Sequence, residues 1–291
     1  MLKLSFAQNQ EDVLLARVFP DEQGFFIDVG ACHPVHHSVT KYFSSRGWRG
    51  INIEPIPSVF AMIAEDRPHE INLNVGVSNR DGAMTFYEAT SSLGWSTFSK
   101  EMADEVRMLG IEFVEREVPI LTLETIRARY VGNREVDFLK IDVECHERQV
   151  VMGADWSRLR PKVVVLEGQD PAIWADLMHD ARYLHAAFDG INHFYVRTES
   201  RDLLAAFRAP ANCMDGFAPF DYHDQIERLN AELVAARAEI DALRIRLAEH
   251  AEVDELGPRS IMLARGVHGA AKHMPAVAGV VRRVWPASKA S

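Results

Sequence analysis

The chain has 291 residues, 47% hydrophobic and 25% charged, the balance of an ordinary soluble globular protein with length for one large core or two modest ones. A formal net charge of −10 argues against non-specific binding to nucleic acid, and no nucleic-acid partner is expected. Three cysteines, Cys32, Cys145 and Cys213, lie far apart without zinc-like or disulfide-like spacing, and read as reduced thiols in a cytoplasmic setting.

Taken in chain order, the first ten residues are polar and lack the basic, apolar, small-residue sequence of a signal peptide. No run of about 18 uncharged apolar residues suggests a membrane-spanning helix. Residues 25–30 form a β-rich run that stops at Gly30, and residues 36–46 read as a helix. A second strand over 50–55 ends at Pro55; a helix over 56–66 and a third strand over 70–77 follow. Residues 80–120 do not fit a simple crossover: 84–87 read as an extra strand, 91–97 as a loop and 100–109 as a short helix. Such an excursion either covers a site or decorates the surface. Helices over 123–131, 147–154 and 171–181 alternate with strands over 136–143 and 162–167, which predicts parallel strands joined by helical crossovers. Residues 183–188 and 193–197 flank Asp189-Gly190-Ile191-Asn192, a hairpin signal. The fold class is therefore α/β, a Rossmann-like, mostly parallel sheet with an antiparallel terminal hairpin, which resembles the class I methyltransferase architecture.

From Ile226 the pattern changes. Ile226, Leu229, Leu233, Ala236, Ile240, Leu243 and Leu247 alternate spacings of three and four with charges between, an apolar heptad seam. It reads as a coiled-coil helix that makes a homo-oligomer through 226–247, or as one amphipathic helix packed on its own domain. Beyond Leu256 the chain carries Arg259, Arg265, Lys272, Arg282, Arg283 and Lys289 but no acid. With Ile261, Leu263, Val280 and Trp285 interleaved, residues 259–289 read as a peripheral contact with the inner face of a membrane, or as a weakly structured tail. The expected organisation is a catalytic domain over 1–220, a coiled-coil helix over 221–255 and a basic tail over 256–291.

The strongest local chemistry is Asp28-Val29-Gly30-Ala31, where glycine lets the backbone turn sharply beside a ligand. Glu54, 24 residues after Gly30, ends the second strand, where a carboxylate accepts hydrogen bonds from two ribose hydroxyls. The pair suits an adenosine-type ligand without choosing between S-adenosylmethionine and NAD. Cys32-His33-Pro34-Val35-His36-His37 follows with no further glycine before Gly47, which makes a pyrophosphate loop unexpected. A second cluster, Asp142, Glu144, His146 and Glu147, falls at the end of the fourth strand, where a carboxylate or imidazole can take a proton from a substrate hydroxyl. Glu147 also suits a helix cap, and Lys140 a simple partner for a neighbouring acid. His33, His36 and His37 read as a surface cluster or, with Asp142 and His146, as an acceptor-side base or a divalent metal site; no metal site is assigned. Trp48 reads as core, Trp95 as a surface for a sugar ring.

The ordered stretches Ser5-Phe6-Ala7-Gln8-Asn9-Gln10-Glu11-Asp12, Phe26-Ile27-Asp28-Val29-Gly30-Ala31 and Gly47-Trp48-Arg49-Gly50-Ile51-Asn52-Ile53-Glu54-Pro55 resemble the FkbM-type methyltransferase family. So do Val118-Pro119-Ile120-Leu121-Thr122-Leu123, residues 138–147 and 160–167, and Phe188-Asp189-Gly190-Ile191-Asn192-His193-Phe194-Tyr195-Val196. The resemblance implies S-adenosylmethionine as methyl donor and O-methylation of a sugar or natural-product hydroxyl. By position it places Asp28, Gly30, Ala31, Glu54, Pro55 and Asp142 at the cofactor, and Asp142, His146 and His37 at the reacting groups. Family members commonly have glycine where Cys145 stands. A non-catalytic scaffold that assembles a glycan-modifying complex through the coiled coil is the alternative the sequence leaves open.

Overall fold

The structure, a computed structural model, describes residues 3–20 and 23–253. The basic tail over 259–289, and the membrane contact expected of it, lie outside the described residues. The chain divides after Asp221 into two units.

The first unit opens with β1 (Lys3–Ser5), α1 (Glu11–Val18), β2 (Phe25–Val29), α2 (Lys41–Ser44), β3 (Arg49–Ile53), α3 (Pro57–Asp66) and β4 (Ile71–Leu73). The excursion follows as β5 (Gly76–Val77), β6 (Gly82–Ala89), α4 (Lys100–Arg107) and β7 (Phe113–Leu121). The chain resumes with α5 (Leu123–Ile126), β8 (Phe138–Ile141), α6 (Glu147–Met152), β9 (Val163–Glu167) and α7 (Ala175–Asp180). It ends in β10 (Tyr183–Phe188), β11 (Asn192–Arg197) and β12 (Phe217–Pro219), from which α8 (Phe220–Val253) runs on.

Seven strands form one sheet in the order β10-β11-β9-β8-β2-β3-β4. β4, β3, β2, β8 and β9 are parallel, while β11 runs against both of its neighbours. This is the mostly parallel sheet with a terminal hairpin expected from the sequence. Asp189 fixes the hairpin turn by accepting from the N–H groups of Ile191 and Asn192.

Three expectations need correction. The strand over 70–77 splits, because Asn74 donates to the carbonyls of Glu54 and Pro55 and holds a bend between β4 and β5. β5 then joins β6 and β7 in a separate three-stranded sheet. The helix over 36–46 shrinks to α2, since residues 32–40 are held in a loop with Cys32 and His37 at φ +50° and +56°. Finally, β7 and α1 went unread; α1 opens on Glu11 and Asp12, which look like surface residues yet are both buried.

Side chains alternate across the parallel strands. Ile27, Val29, Ile51, Ile53, Leu139, Ile141, Val164 and Leu166 pack one face. Phe26, Phe138, Val163 and Val165 start the other, with Trp48 against Phe43 and Phe138. Towards the strand ends that second face turns polar. Register aligns Asp28 with Asn52 on one side and with Lys140 on the other, and Asn52 with Asn72.

A buried row of this kind is stable only when its members pair. Arg67, 3% exposed, closes it by donating to Thr40 Oγ1, Asn52 Oδ1, Ser38 Oγ and the Pro34 carbonyl. Thr40 in turn donates to Asp28 Oδ2 at 2.7 Å. Replacing Arg67 with Met orphans several buried acceptors, and urea unfolding is expected to show a loss of about 3 kcal/mol; a change under about 0.5 kcal/mol, ordinary for a surface site, rejects this role.

In the second unit α8 continues as one helix with an exposed apolar seam. Among the described residues no helix is long and apolar enough to cross a membrane.

Candidate functional site

The cleft opens at the carboxyl ends of β2, β3, β8 and β9, where open parallel sheets bind ligands. Period-two alternation carries the polar face one step beyond the buried row, so Gly30, Glu54, Asp142 and Glu167 form its next tier. All four line the cleft. Gly30 sits at φ +78°, and a Cβ there would come within 1.8 Å of the Asp142 carbonyl oxygen, so the turn excludes any side chain. The Gly30 and Ala31 N–H groups both donate to the Ile53 carbonyl, which ties the turn to β3.

Glu54 is 5% exposed and aims into this cleft. Oε2 accepts from the Cys32 N–H at 3.0 Å and Oε1 from the Ile56 N–H at 2.8 Å, at the start of α3. Each carboxylate oxygen carries two lone pairs, so both retain one for a ligand. Burial pushes the Glu54 carboxyl up to about 7, against the pull of its two backbone donors. Pro55, Ile56, Val59, Val75 and Phe98 supply apolar wall beside it.

Lys140 occupies the middle of the site, its side chain 7% exposed. Its Nζ donates to the Gly30 carbonyl at 2.7 Å and lies 3.0 Å from Asp142 Oδ2 and 3.6 Å from Asp28 Oδ1. Asp142 and Asp28 hold the ammonium strongly charged against the cost of burial, which is the larger single effect and acts the other way. Glu167 is hydrogen-bonded to Asp142, and burial together with the Asp142 charge drives its carboxyl up to about 9. Glu144 is raised to about 8 by burial first and by Asp142 next. Both carboxyls are thus biased towards their neutral forms, and Glu167, in contact with Asp142, is placed to share a proton with it.

The excursion forms one wall. Leu93, Gly94, Ser96 and Phe98 line the cleft, and Thr97 Oγ1 donates to the Glu144 carbonyl at 2.5 Å. Trp95 stands between them in sequence, 41% exposed, while Trp48 is core at 1%. The amino-terminal motif supplies a further lining residue. Asp12 accepts from Ser5 Oγ and from the Phe6 and Ala7 N–H groups, folding the segment so that Gln8 reaches the cleft.

The structure gathers Gly30, Glu54, Pro55, Asp142 and His37 around one cleft. Asp28 and Ala31 lie beneath it, Asp28 against Lys140 and Thr40, Ala31 against Ile56 and Val59. His37 is exposed at the mouth, its Nε2 3.7 Å from Asp221, which also takes His36 Nδ1 at 2.9 Å. His146 is turned away: it lines a separate groove with Ser78, Asn79 and Gln149. Its Nε2 meets Ser78 Oγ at 3.0 Å, and burial lowers its pKa to about 4. Only three residues separate it from Asp142, but the intervening turn reverses direction. Among the described residues no cluster of three His, Cys, Asp or Glu side chains is arranged to hold a metal. Lys140, Glu167 and Gln8 were assigned no site role from sequence, although Glu167 ends its strand as Glu54 does.

That turn has two consecutive residues in the left-handed region, Glu144 at φ +53° and Cys145 at +69°. It is held by Glu147, whose Oε1 accepts from the Val143 and Cys145 N–H groups at 3.3 and 3.2 Å. A side chain at such φ costs about 1 kcal/mol or more. Cys145→Gly is therefore expected to raise stability by about 0.5–1 kcal/mol in thermal or urea unfolding; a loss of stability rejects the strain.

Residues 28–190 match the family described as the methyltransferase FkbM domain. No curated protein matches. Solved structures that match include a TehB-like SAM-dependent methyltransferase from Corynebacterium glutamicum, at 7% identity and TM-score 0.36 over 65% of this chain and 88% of that one. A precorrin-6y C5,15-methyltransferase from Geobacter metallireducens matches at 11% identity and TM-score 0.34, over 65% and 87%. An O-methyltransferase from Bacillus cereus, in complex with SAH, matches at 12% and 0.33, over 66% and 82%. Likenesses this remote say nothing about a ligand here.

Proposed function

The chain belongs to the FkbM methyltransferase family, and on that premise we propose that it methylates a hydroxyl oxygen of a neutral sugar or sugar-like natural product with S-adenosylmethionine as donor. The observation that carries this reading is the tier of Gly30, Glu54, Asp142 and Glu167 across four adjacent strand ends. When bound, the donor supplies an electrophilic methyl group on a sulfonium.

The residues present fit that donor. Glu54 keeps lone pairs for the two ribose hydroxyls, and the Gly30 backbone leaves room for close approach. Ile56, Val59 and Val75 offer an apolar slot of the kind an adenine ring fills. Asp142 stands at the opposite end, held in place by Lys140. Asp142 would take the O–H proton of a substrate hydroxyl held beside it, which would free that oxygen to accept the methyl group the donor supplies. The protonated Glu167 beside it donates the hydrogen bond that keeps Asp142 oriented.

The acceptor class follows from charge. Asp142, Glu144 and Glu167 line the cleft, and its buried cation, Lys140, is committed to Asp142 and Gly30. With Glu144 and Glu167 held towards their neutral forms and Lys140 already paired, the described lining residues include no Lys or Arg free to pair with a phosphate or carboxylate near the reacting oxygen. Gln8 and His37 offer hydrogen bonds to neutral hydroxyls, and Trp95 a face for a sugar ring.

Calorimetry with S-adenosylhomocysteine tests the donor site. Ribose hydroxyls donate to ionised Glu54, whose pKa lies near 7, so below pH 7 binding must expel a proton. Affinity is expected to rise with pH by up to about tenfold per unit below 7 and to level off above it. Glu54→Gln should weaken binding and flatten the profile. No binding at millimolar ligand, or a pH dependence that survives Glu54→Gln, rejects the assignment.

Methyl transfer from labelled S-adenosylmethionine tests the acceptor class. Neutral glycosides are expected to be labelled in preference to their phosphate esters; the opposite order rejects a neutral acceptor.

A further inference from the structure

α8 leaves an apolar seam in solvent: Ile226, Leu229, Leu233, Ile240, Leu243 and Leu247 are each between 41% and 56% exposed. A long helix that buries no apolar face is marginal in water, so the seam calls for a partner. The spacing of three and four is that of coiled-coil a and d positions, with Ile226 at a and Leu229 at d.

We propose that α8 pairs with α8 of a second copy of this chain as a parallel, in-register, two-stranded coiled coil. Charge at the flanking positions selects this occupant and orientation. With Ile226 at a, Glu232 and Glu239 fall at g, and Arg237 and Arg244 at e. In a parallel pair each g side chain reaches the e position of the partner's next heptad. That sets Glu232 against Arg237 and Glu239 against Arg244, and symmetry repeats both pairs. An antiparallel pair that overlaps the whole seam sets g against g, which brings Glu232 against Glu239 and leaves Arg246, also at g, facing Gln225. Arg244 also meets Asp241 on its own helix at 3.3 Å, an exposed contact that competes weakly. Isoleucine at two of the four a positions (226 and 240, with Leu233 and Leu247 at the others) and leucine at d (229 and 243, with Ala236 between) lean towards two strands, and the charge pairing is what selects them.

Sedimentation of the full chain at micromolar concentration is expected to give twice the 32.8 kDa chain mass. Leu233→Asp with Leu243→Asp, both on the exposed seam, should yield a monomer with unchanged near-UV circular dichroism. The pair Glu232→Arg and Glu239→Arg should weaken self-association about tenfold or more, because four attractive contacts become repulsive. Mixing that variant with one carrying Arg237→Glu and Arg244→Glu should restore a dimer. Leu229→Cys should form an interchain disulfide beyond the level the native cysteines give. A monomeric or trimeric wild-type chain overturns the proposal. Failure of the mixed charge variants to pair, or a Leu229→Cys chain that cross-links no more than wild type, overturns the parallel register.

Discussion

A lysine ammonium in the middle of a parallel sheet constrains everything around it. Lys140 cannot shed its charge among Asp28 and Asp142, and it cannot stay charged unless both remain in place. From it a continuous polar path runs outward in both directions. On one side Asp28 takes the Thr40 hydroxyl, and Thr40 takes Arg67. On the other, Asp142 holds Glu167 at the cleft. At its centre Lys140 stands between two carboxylates, while the sheet beneath stays apolar. Fold and candidate site are one network, and a substitution at Arg67 and one at Asp142 act on the same row.

Strand alternation turns that network into a binding surface. The face of the sheet that begins with Phe26 and Phe138 ends with Asp28 and Lys140, and one step later with Gly30 and Asp142. Glu54 directly follows β3 and Glu167 closes β9 by the same rule. Four neighbouring strands therefore deliver one backbone turn and three carboxyls to a single tier. The excursion completes the enclosure, with Phe98 set between the cleft and the groove that holds His146. A protein that served only as a scaffold would gain nothing from burying Glu54 with lone pairs aimed at an opening, since burial opposes its ionisation.

Much of this was legible in the sequence because it is local. A β-rich run ending in glycine, an acid one strand–helix–strand unit later, and an Asp-Gly turn between two short strands each announce themselves without tertiary context. What escaped depends on contacts far apart in the chain. Lys140 looks like any charged residue in a strand until register sets it beside Asp28, 112 positions earlier in the chain. Gln8 belongs to a segment that Asp12, and Asn9 reaching the Asp189 carbonyl, hold folded inward. His146 misled for the opposite reason: closeness in sequence to Asp142 conceals a turn with two left-handed residues between them. Residues 36–40 read as the start of a helix because they permit one locally, and a distant arginine overrules them.

That same arginine has a consequence for how a ligand is met. Residues 34, 38 and 40 are clasped by Arg67 from below, so the rim of the opening acquires its shape when the chain folds, before any small molecule arrives. The ordering entropy that a glycine-rich rim surrenders at each encounter is here surrendered once. A loop already held in this way has less freedom left to lose when the cleft is filled.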